Sequence, residues 1–267
     1  MSLRVWTLAF ACAAISAPVF AETVSKTLDN GLKIIVREDA RAPVVVTQLW
    51  YKVGSVDEEA GKTGLSHVLE HMMFKGTPTV PSGEYSKRIT AMGGELNAYT
   101  NRDETVYYQT VAKQHLPEVL QMEADRMVNL GFSNKDYVNE LEVVKEERRL
   151  RTDDQPQARL SEQMHAVAFQ AHPYRVPVIG WMSDLENMSA ADAKAWYDNW
   201  YVPNNATLVV VAPPMVAGER FRVLEKHYWR GLNFQFQAQE IVRIAKKFRV
   251  TYLGIDVSGV GSGVYDL

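Results

Sequence analysis

The sequence predicts an α+β fold in which an antiparallel sheet has helices packed to one side. Two short strands flank the Asp29-Asn30-Gly31 turn, and an Asn-Gly pair between apolar stretches is a strong hairpin signal. Further β-branched segments alternate with helical segments along the chain. Apolar residues make up 46% of the 267 residues, which is enough to bury one substantial core.

The predicted elements follow one another in a clear order. Strands are expected within residues 24–38, 44–53, 96–100, 105–111 and 205–212. Helices are expected over residues 64–74, 83–92, 116–169 (two helices) and 217–228. The tryptophans and tyrosines within residues 196–201 have helical spacing, so we expect them to lie in the core.

The stretch His67-Val68-Leu69-Glu70-His71 carries the clearest chemical signal. On a helix, His67 and His71 lie one above the other on the same face, close enough to bind one metal ion through their imidazole nitrogens. Glu70 borders that face, where its carboxylate can take a proton from a water that the ion acidifies to a pKa of about 7. Five residues of this pattern also arise by chance, so the interpretation depends on a third ligand.

Candidates for that ligand lie on the helix predicted over residues 136–151. At about 100° per residue from Tyr137, Glu140 and Glu147 fall at about 300° and 280°, inside the apolar arc. Glu142 and Glu146 fall on the opposite face, among charged neighbours. The apolar residues of the arc are Tyr137, Leu141, Val143 and Val144.

Two carboxylates on an apolar face need an explanation, because burying unpaired charge is costly. Glu147 is therefore predicted as the third metal ligand. Glu140 is predicted to orient a ligand or to share the proton load of the site. The rest of the charged run over residues 145–151 is predicted to be a solvated helix face.

With these residues, the chain resembles the pitrilysin/insulinase family of zinc metallopeptidases, and most closely its bacterial relatives of the mitochondrial processing peptidase β-subunit. The family signature is H-x-x-E-H followed by a ligand glutamate roughly 75 residues later. The flanking sequences agree with it, namely Gly64-Leu-Ser before His67 and Met72-Met-Phe-Lys-Gly-Thr77 after His71. The likeness covers residues 24–231. It implies that His67, His71 and Glu147 hold Zn²⁺, that Glu70 is the general base, and that Glu140 is a supporting acid.

A second motif, Gly93-Gly-Glu-Leu-Asn97-Ala98-Tyr, begins a predicted strand. Glycines before a strand often mark only a helix end and a turn. The resemblance implies that this strand is a sheet edge to which an extended peptide adds, with the backbone of Asn97 and Ala98 near the scissile bond. Phe74 is expected as a wall beside the site, although both Asn97 and Phe74 also fit a purely structural role.

The N-terminus has the pattern of a signal peptide over residues 1–21. Arg4 precedes an apolar run, and Val19-Phe-Ala21 offers small residues for cleavage after Ala21. An uncleaved anchor is the alternative. Cleavage removes the only cysteine, Cys12, and predicts a periplasmic or secreted protein without stable membrane insertion. The net charge of −3 has no large basic block, so nucleic acid is not an expected partner.

The domain organisation predicted is a catalytic domain over residues 22–231 and a tail outside the family over residues 232–267. The likeness weakens at Pro213-Pro214. In the tail, residues 250–256 and the glycine-rich turn after them resemble the opening strand of the nuclease domain of phage terminase large subunits. A gene fusion, a frameshift and an assembly artefact are alternative origins of this tail.

The resemblance also implies a second homologous domain, in the same chain or in a partner, that encloses the substrate and supplies arginine and tyrosine groups. The predicted function is therefore a zinc endopeptidase acting on extended peptides or unfolded protein segments. A catalytically weak or inactive partner subunit is the first alternative. A nucleic-acid enzyme, based on the tail, is the second, but the further carboxylates that it needs are absent.

Overall fold

The computed structural model describes residues 23–213. The predicted signal peptide over residues 1–21, the helix over 217–228 and the tail over 232–267 lie outside the described residues. One six-stranded sheet has the order β1-β2-β6-β3-β5-β4. Its strands are β1 Thr23–Thr27, β2 Lys33–Glu38, β3 Val44–Tyr51, β4 Glu95–Thr100, β5 Thr105–Ala112 and β6 Ala206–Ala212.

The sheet is mainly antiparallel, as predicted, and contains one parallel pair of strands. Among the described strands, four neighbouring pairs are antiparallel, while β2 and β6 are parallel. A parallel pair needs a long crossover connection, and most of the domain lies between these two strands. The fold class is α+β, as predicted, and the helices and strands share a main core and a smaller second cluster of buried residues.

Seven α-helices lie within the described residues: α1 Leu65–Met72, α2 Glu84–Ala91, α3 Leu116–Asn129, α4 Asn134–Arg148, α5 Pro156–Ala168, α6 Met182–Asn187 and α7 Ala190–Trp200. The prediction of two helices within residues 116–169 was wrong, because this segment contains three. A π-helical turn, Arg149–Asp153, separates α4 from α5. Proline at the first position of α5 is typical of a new helix start.

The main core is formed where α1, α4 and α7 pack on the sheet. From α1, Val68, Leu69 and Met72 are fully buried, so one side of this helix is fixed by packing. The aromatic residues predicted to lie in the core within residues 196–201 do so, since Trp196, Tyr197, Trp200 and Tyr201 are buried or packed against it. Core packing therefore determines which way the remaining side of α1 faces.

The start of α1 is held by polar contacts from the preceding loop. Glu58 accepts hydrogen bonds from the backbone N–H groups of Gly64 and Ser66, at 2.7 and 2.8 Å. Gly64 has φ of 93°, and a Cβ there would lie 2.7 Å from the carbonyl oxygen of Ile179. Only glycine fits this conformation and this close approach, so the loop sets the position of α1 closely.

None of the helices within residues 23–213 combines the length and the apolar composition needed to cross a membrane.

Candidate metal centre

Helix α1 presents two histidines on the side that does not face the core. The ring centroids of His67 and His71 lie 4.9 Å apart, as expected for residues four apart on a helix. Burial lowers the pKa of His67 to about 4, which keeps this imidazole neutral at pH 7. A neutral imidazole is the form that binds a metal ion. The Nδ1 atom of His67 is buried and has no hydrogen-bond partner among the described residues.

Helix α4 brings Glu147 to the same place. Its Oε2 lies 3.4 Å from Nε2 of His71 and 3.8 Å from Nε2 of His67. One donor atom from each of the three residues lies within 4.8 Å of the others. The contact with His71 lowers the pKa of Glu147 below its ordinary value, so its carboxylate is ionised.

These three residues fit a zinc ion. Two imidazoles and one carboxylate form a ligand set that zinc prefers, and three protein ligands leave a fourth position for a water or a substrate. The unpaired, buried Nδ1 of His67 and the convergence of three donor atoms agree with such an ion. Within the part of the chain that the structure describes, no other group of three histidine, cysteine or acidic residues converges in this way.

Glu140 lies about two helical turns before Glu147 on α4 and contacts the Nδ1 atom of His71. Its Oε2 is 3.2 Å from Nδ1 of His71, so a protonated Nδ1 donates to it and leaves Nε2 facing Glu147. Lys75 forms an ion pair of 2.6 Å with Oε1 of Glu140. A carboxylate behind a histidine in this way fixes the ring orientation and its tautomer.

Glu70 lies at the edge of the cluster and has a hydrogen bond of its own. Thr100, at the end of β4, donates its hydroxyl to Oε2 of Glu70 at 2.6 Å. Burial raises the pKa of Glu70 above its ordinary value, and the hydrogen bond from Thr100 opposes this shift. A carboxylate with a raised pKa and one free oxygen is suited to general acid–base work.

Strand β4 is the outer strand of the sheet on this side, as predicted. In the turn to β5, the N–H of Asn101 donates to the carbonyl of Glu104. Hydrogen bonding alternates along an antiparallel pair, so Leu96, Ala98 and Thr100 direct their backbone groups to the open edge. The N–H of Ala98 instead donates to the side-chain oxygen of its neighbour Asn97, at 2.9 Å.

Phe74, predicted as a wall of the site, packs toward the core. Its ring centroid is 6.0 Å from that of Tyr107, and the guanidinium of Arg126 lies 5.4 Å from it. The residues that line the cavity beside the metal centre do not include Phe74, Asn97 or Ala98.

That cavity has a volume of about 340 Å³ and opens beside His67 and Glu147. Arg151, in the π-helical turn, lines it and forms an ion pair of 2.6 Å with Oε1 of Glu147. Oε1 is thus held by a cation, while Oε2 faces the histidines. π-Helical turns are frequent at functional sites.

The prediction of a solvated face over residues 145–151 was wrong at Arg148. This side chain is only 6% exposed and pairs with Glu162 at 2.8 Å and with the carbonyl of Gly180 at 2.9 Å. Val143, placed within the apolar arc, is instead 48% exposed. The buried arc of α4 therefore excludes Val143 at one edge and includes the guanidinium of Arg148.

Sequence reasoning assigned no role to Thr100, Lys75 or Arg151. Lys75 lies in the turn directly after α1, four residues beyond His71, so its nearness in sequence was the available signal. Thr100 comes from a strand, and only the packing of α1 against β4 brings it to Glu70.

In this α+β domain, two histidines and a glutamate converge beside Glu70, a second glutamate suited to act as a base. These are the features of a metallopeptidase domain. The family model described as insulinase (peptidase family M16) matches residues 33–180. The zinc protease PqqE of Helicobacter pylori is 35% identical over 205 residues, which are 76% of this chain and 46% of that protein. The chain therefore belongs to the insulinase family, peptidase family M16, whose cofactor is zinc.

Solved structures agree with this membership. A protease from Helicobacter pylori has a TM-score of 0.71 at 30% identity, over 91% of this chain and 53% of that one. The first half of the periplasmic protease PqqL from Escherichia coli has a TM-score of 0.65 at 30% identity, over 71% of this chain and 42% of that one. The chain spans about half the length of these relatives.

A second family model, the terminase RNaseH-like domain, matches residues 200–267. This agrees with the resemblance of the tail noted from its sequence. The match begins before β6, whose residues Ala206–Ala212 pair with β2 and β3 in the described sheet.

Proposed function

We propose that this chain is the catalytic domain of a zinc-dependent endopeptidase that hydrolyses extended peptides or unfolded protein segments. The observation that carries the proposal is the convergence of His67, His71 and Glu147 within 4.8 Å, with Glu70 beside them. The domain extends over residues 22–231 in this proposal, and residues 232–267 form a tail outside it.

His67, His71 and Glu147 would hold the ion, and Glu140 would orient His71 from behind. A bound zinc ion supplies Lewis-acid chemistry, because it lowers the pKa of a water and polarises a carbonyl oxygen. Lys75 balances the charge of Glu140. The carboxylate can then accept from His71 without leaving a buried unpaired charge.

Glu70 is the general base in this proposal. Thr100 occupies its Oε2, which leaves Oε1 to take the proton of an attacking water and to pass it to the leaving nitrogen. Its raised pKa brings the acid and base forms closer in free energy at neutral pH. The hydroxyl of Thr100 also fixes the carboxylate in one orientation.

The substrate would add to the open edge of β4 as a further strand. Ala98 directs its N–H to this edge, where the Asn97 side chain now accepts its hydrogen bond. A peptide carbonyl could replace Asn97 as the acceptor of this hydrogen bond. The side-chain amide of Asn97 would then be free to bind the peptide as well. Main-chain pairing makes recognition largely independent of substrate side chains. Phe74, which packs against Tyr107, would support α1 from the core side.

A second homologous domain would complete the enzyme. The relatives named above are about twice as long as this chain, and one of the similar solved structures is the first half of PqqL. Helix α5 contributes no buried residue, and Leu160, Met164 and Val167 are exposed along it at helical spacing. An apolar stripe of this kind favours contact with a partner domain. We place the enzyme in the periplasm, as its PqqL neighbour is described.

The test is hydrolysis of an unfolded peptide mixture by the purified chain, with and without a chelator, alongside its zinc content. The proposal expects about one zinc per chain and cleavage that the chelator stops. Zinc without cleavage would support the alternative function, a weak or inactive partner subunit that needs the second domain. A folded protein without zinc would contradict the proposed zinc-dependent activity.

A further inference from the structure

The cavity beside the metal centre is lined by three arginines from three separate segments. Arg102 follows β4, Arg151 lies in the π-helical turn, and Arg175 lies in the loop after α5. The same cavity is bounded by His67 and Glu147, so it lies directly beside the atoms proposed to act on the peptide bond.

The acidic residues of the cavity are already paired. Glu147 pairs with Arg151 at 2.6 Å, and Glu162 pairs with the buried Arg148 at 2.8 Å. Within residues 23–213, no carboxylate forms an ion pair with Arg102 or Arg175. The cavity therefore has an excess of positive charge that the described residues do not neutralise.

Arg102 is held in place. Its guanidinium lies 5.4 Å from the ring centroid of Tyr174, whose hydroxyl donates to Asp103 at 2.7 Å. Its Nε is buried and has no hydrogen-bond partner within the described residues. A buried donor without a partner is costly, so a ligand that accepts from this guanidinium would gain that free energy.

Arg175 also lines the cavity. Its guanidinium donates to the carbonyl of Gln170 at 3.2 Å, which orients the side chain and leaves its charge unpaired. The wall beside it is apolar, formed by Val176, Pro177, Val178 and Ile179. A cavity of about 340 Å³ with this lining is large enough for one side chain and its neighbouring backbone.

We propose that this cavity binds a carboxylate of the substrate close to the scissile bond, either the side chain of a glutamate or aspartate or the C-terminal carboxylate of the peptide. The inference rests on the proposed function. Guanidinium groups bind carboxylates through charge-assisted, often paired, hydrogen bonds. A lysine or arginine at the same substrate position would be repelled.

Binding of short peptides to the zinc-loaded Glu70→Gln variant tests this without requiring turnover. The peptides share one fluorescent sequence that is blocked at both ends. Each peptide has Glu, Gln or Lys at a single position, and the positions on both sides of the cleavage point are tested in turn. At one of these positions we expect the Glu peptide to bind roughly 10-fold tighter than the Gln peptide, or more, and the Lys peptide weakest. A second set with a free C-terminal carboxylate shows whether the terminal group is the one bound.

Arg175→Gln, at an exposed position, should reduce the ratio of Glu to Gln affinity, and combination with Arg102→Gln should bring it close to one. Arg149→Gln is the matched control, because this neighbouring arginine pairs with Glu146 and does not line the cavity. It should leave the ratio unchanged.

Equal binding of the Glu, Gln and free-carboxylate peptides, or no measurable binding of any of them, would overturn the inference. Hydrolysis of the Gln peptide by the unmodified chain is scored separately. Its absence contradicts the proposed peptidase activity, whereas equal affinities contradict the charge selectivity alone.

Discussion

The two faces of α4 carry the same residue type in opposite environments. On the inner face, Glu140 and Glu147 are 13% and 15% exposed and contact the histidines of α1. On the outer face, Glu142 and Glu146 are 60% and 57% exposed and pair with Lys145 and Arg149, three residues further along. Exposed pairs of the outer kind contribute little to stability.

The difference between these faces shows what a buried carboxylate needs. A charge removed from water must find a partner in the fold, because its desolvation costs several kcal/mol. Glu140 and Glu147 find theirs in His71, Lys75 and Arg151. The inner pair can therefore serve a metal, whereas the outer pair keeps its hydration.

The largest effect is expected from His71→Ala, which removes a proposed ligand from the inner face. Bound zinc should fall from about one ion per chain to near none, because two remaining ligands do not make a stable site. Elemental analysis of the purified variant measures this. His115→Ala, which changes a histidine at the start of α3, is the control and should retain zinc.

Glu70→Gln should separate catalysis from metal binding. We expect zinc to be retained while the hydrolysis rate falls roughly 10²–10⁴-fold, because the variant lacks the proton acceptor. Parallel measurement of zinc and of kcat on one peptide distinguishes the two properties. If this variant lost zinc together with activity, Glu70 would belong to the ligand set.

Glu58 is a buried carboxylate outside α4, and its burial should make the stability of the protein depend on pH. Burial raises the pKa of Glu58 from 4.5 to about 7, although two backbone N–H groups of the α1 start oppose the shift. The folded protein then binds more protons than the unfolded chain between these values, so its free energy of unfolding should fall as pH rises from about 4.5 to 7. The expected loss is up to about 3 kcal/mol.

Denaturant unfolding of Glu58→Gln between pH 4.5 and 7 checks this. The variant should show a smaller fall in the free energy of unfolding over this range, while Glu59→Gln, at an exposed neighbouring position, should behave like the unmodified chain. An identical pH dependence in all three proteins would contradict the raised pKa.

A smaller effect is expected from Glu140→Gln, which keeps the shape of the side chain but removes the charge behind His71. Zinc affinity should fall on the order of 10–100-fold, as measured by competition with a chelator. Glu142→Gln, the same change on the outer face, is the control. A Glu140→Gln protein with unchanged affinity would show that this carboxylate serves Lys75 rather than His71.

Sequence periodicity predicted the helix-borne part of the site because helical geometry is local. Spacings of four and seven residues determine which side chains share a face, whatever the rest of the fold does. The apolar arc of α4 thus separated Glu140 and Glu147 from Glu142 and Glu146. At about 100° per residue, the same count puts Arg148 near 20°, inside the arc, so its burial was also readable.

The parts that sequence could not predict depend on contacts between distant segments. Thr100 reaches Glu70 only because β4 packs beside α1, and Arg102 and Arg175 meet in one cavity although 73 residues separate them. The parallel pairing of β2 and β6 is likewise a property of the assembled sheet. The third helix within residues 116–169 did have a local signal, the proline that begins α5.

The most direct test of the metal centre compares the two faces of α4 by one substitution on each. Zinc content is measured by elemental analysis in the unmodified chain, in Glu147→Ala and in Glu146→Ala. The account predicts about one zinc per chain in the first and the third, and near none in Glu147→Ala. Loss of zinc from Glu146→Ala with retention in Glu147→Ala would contradict it.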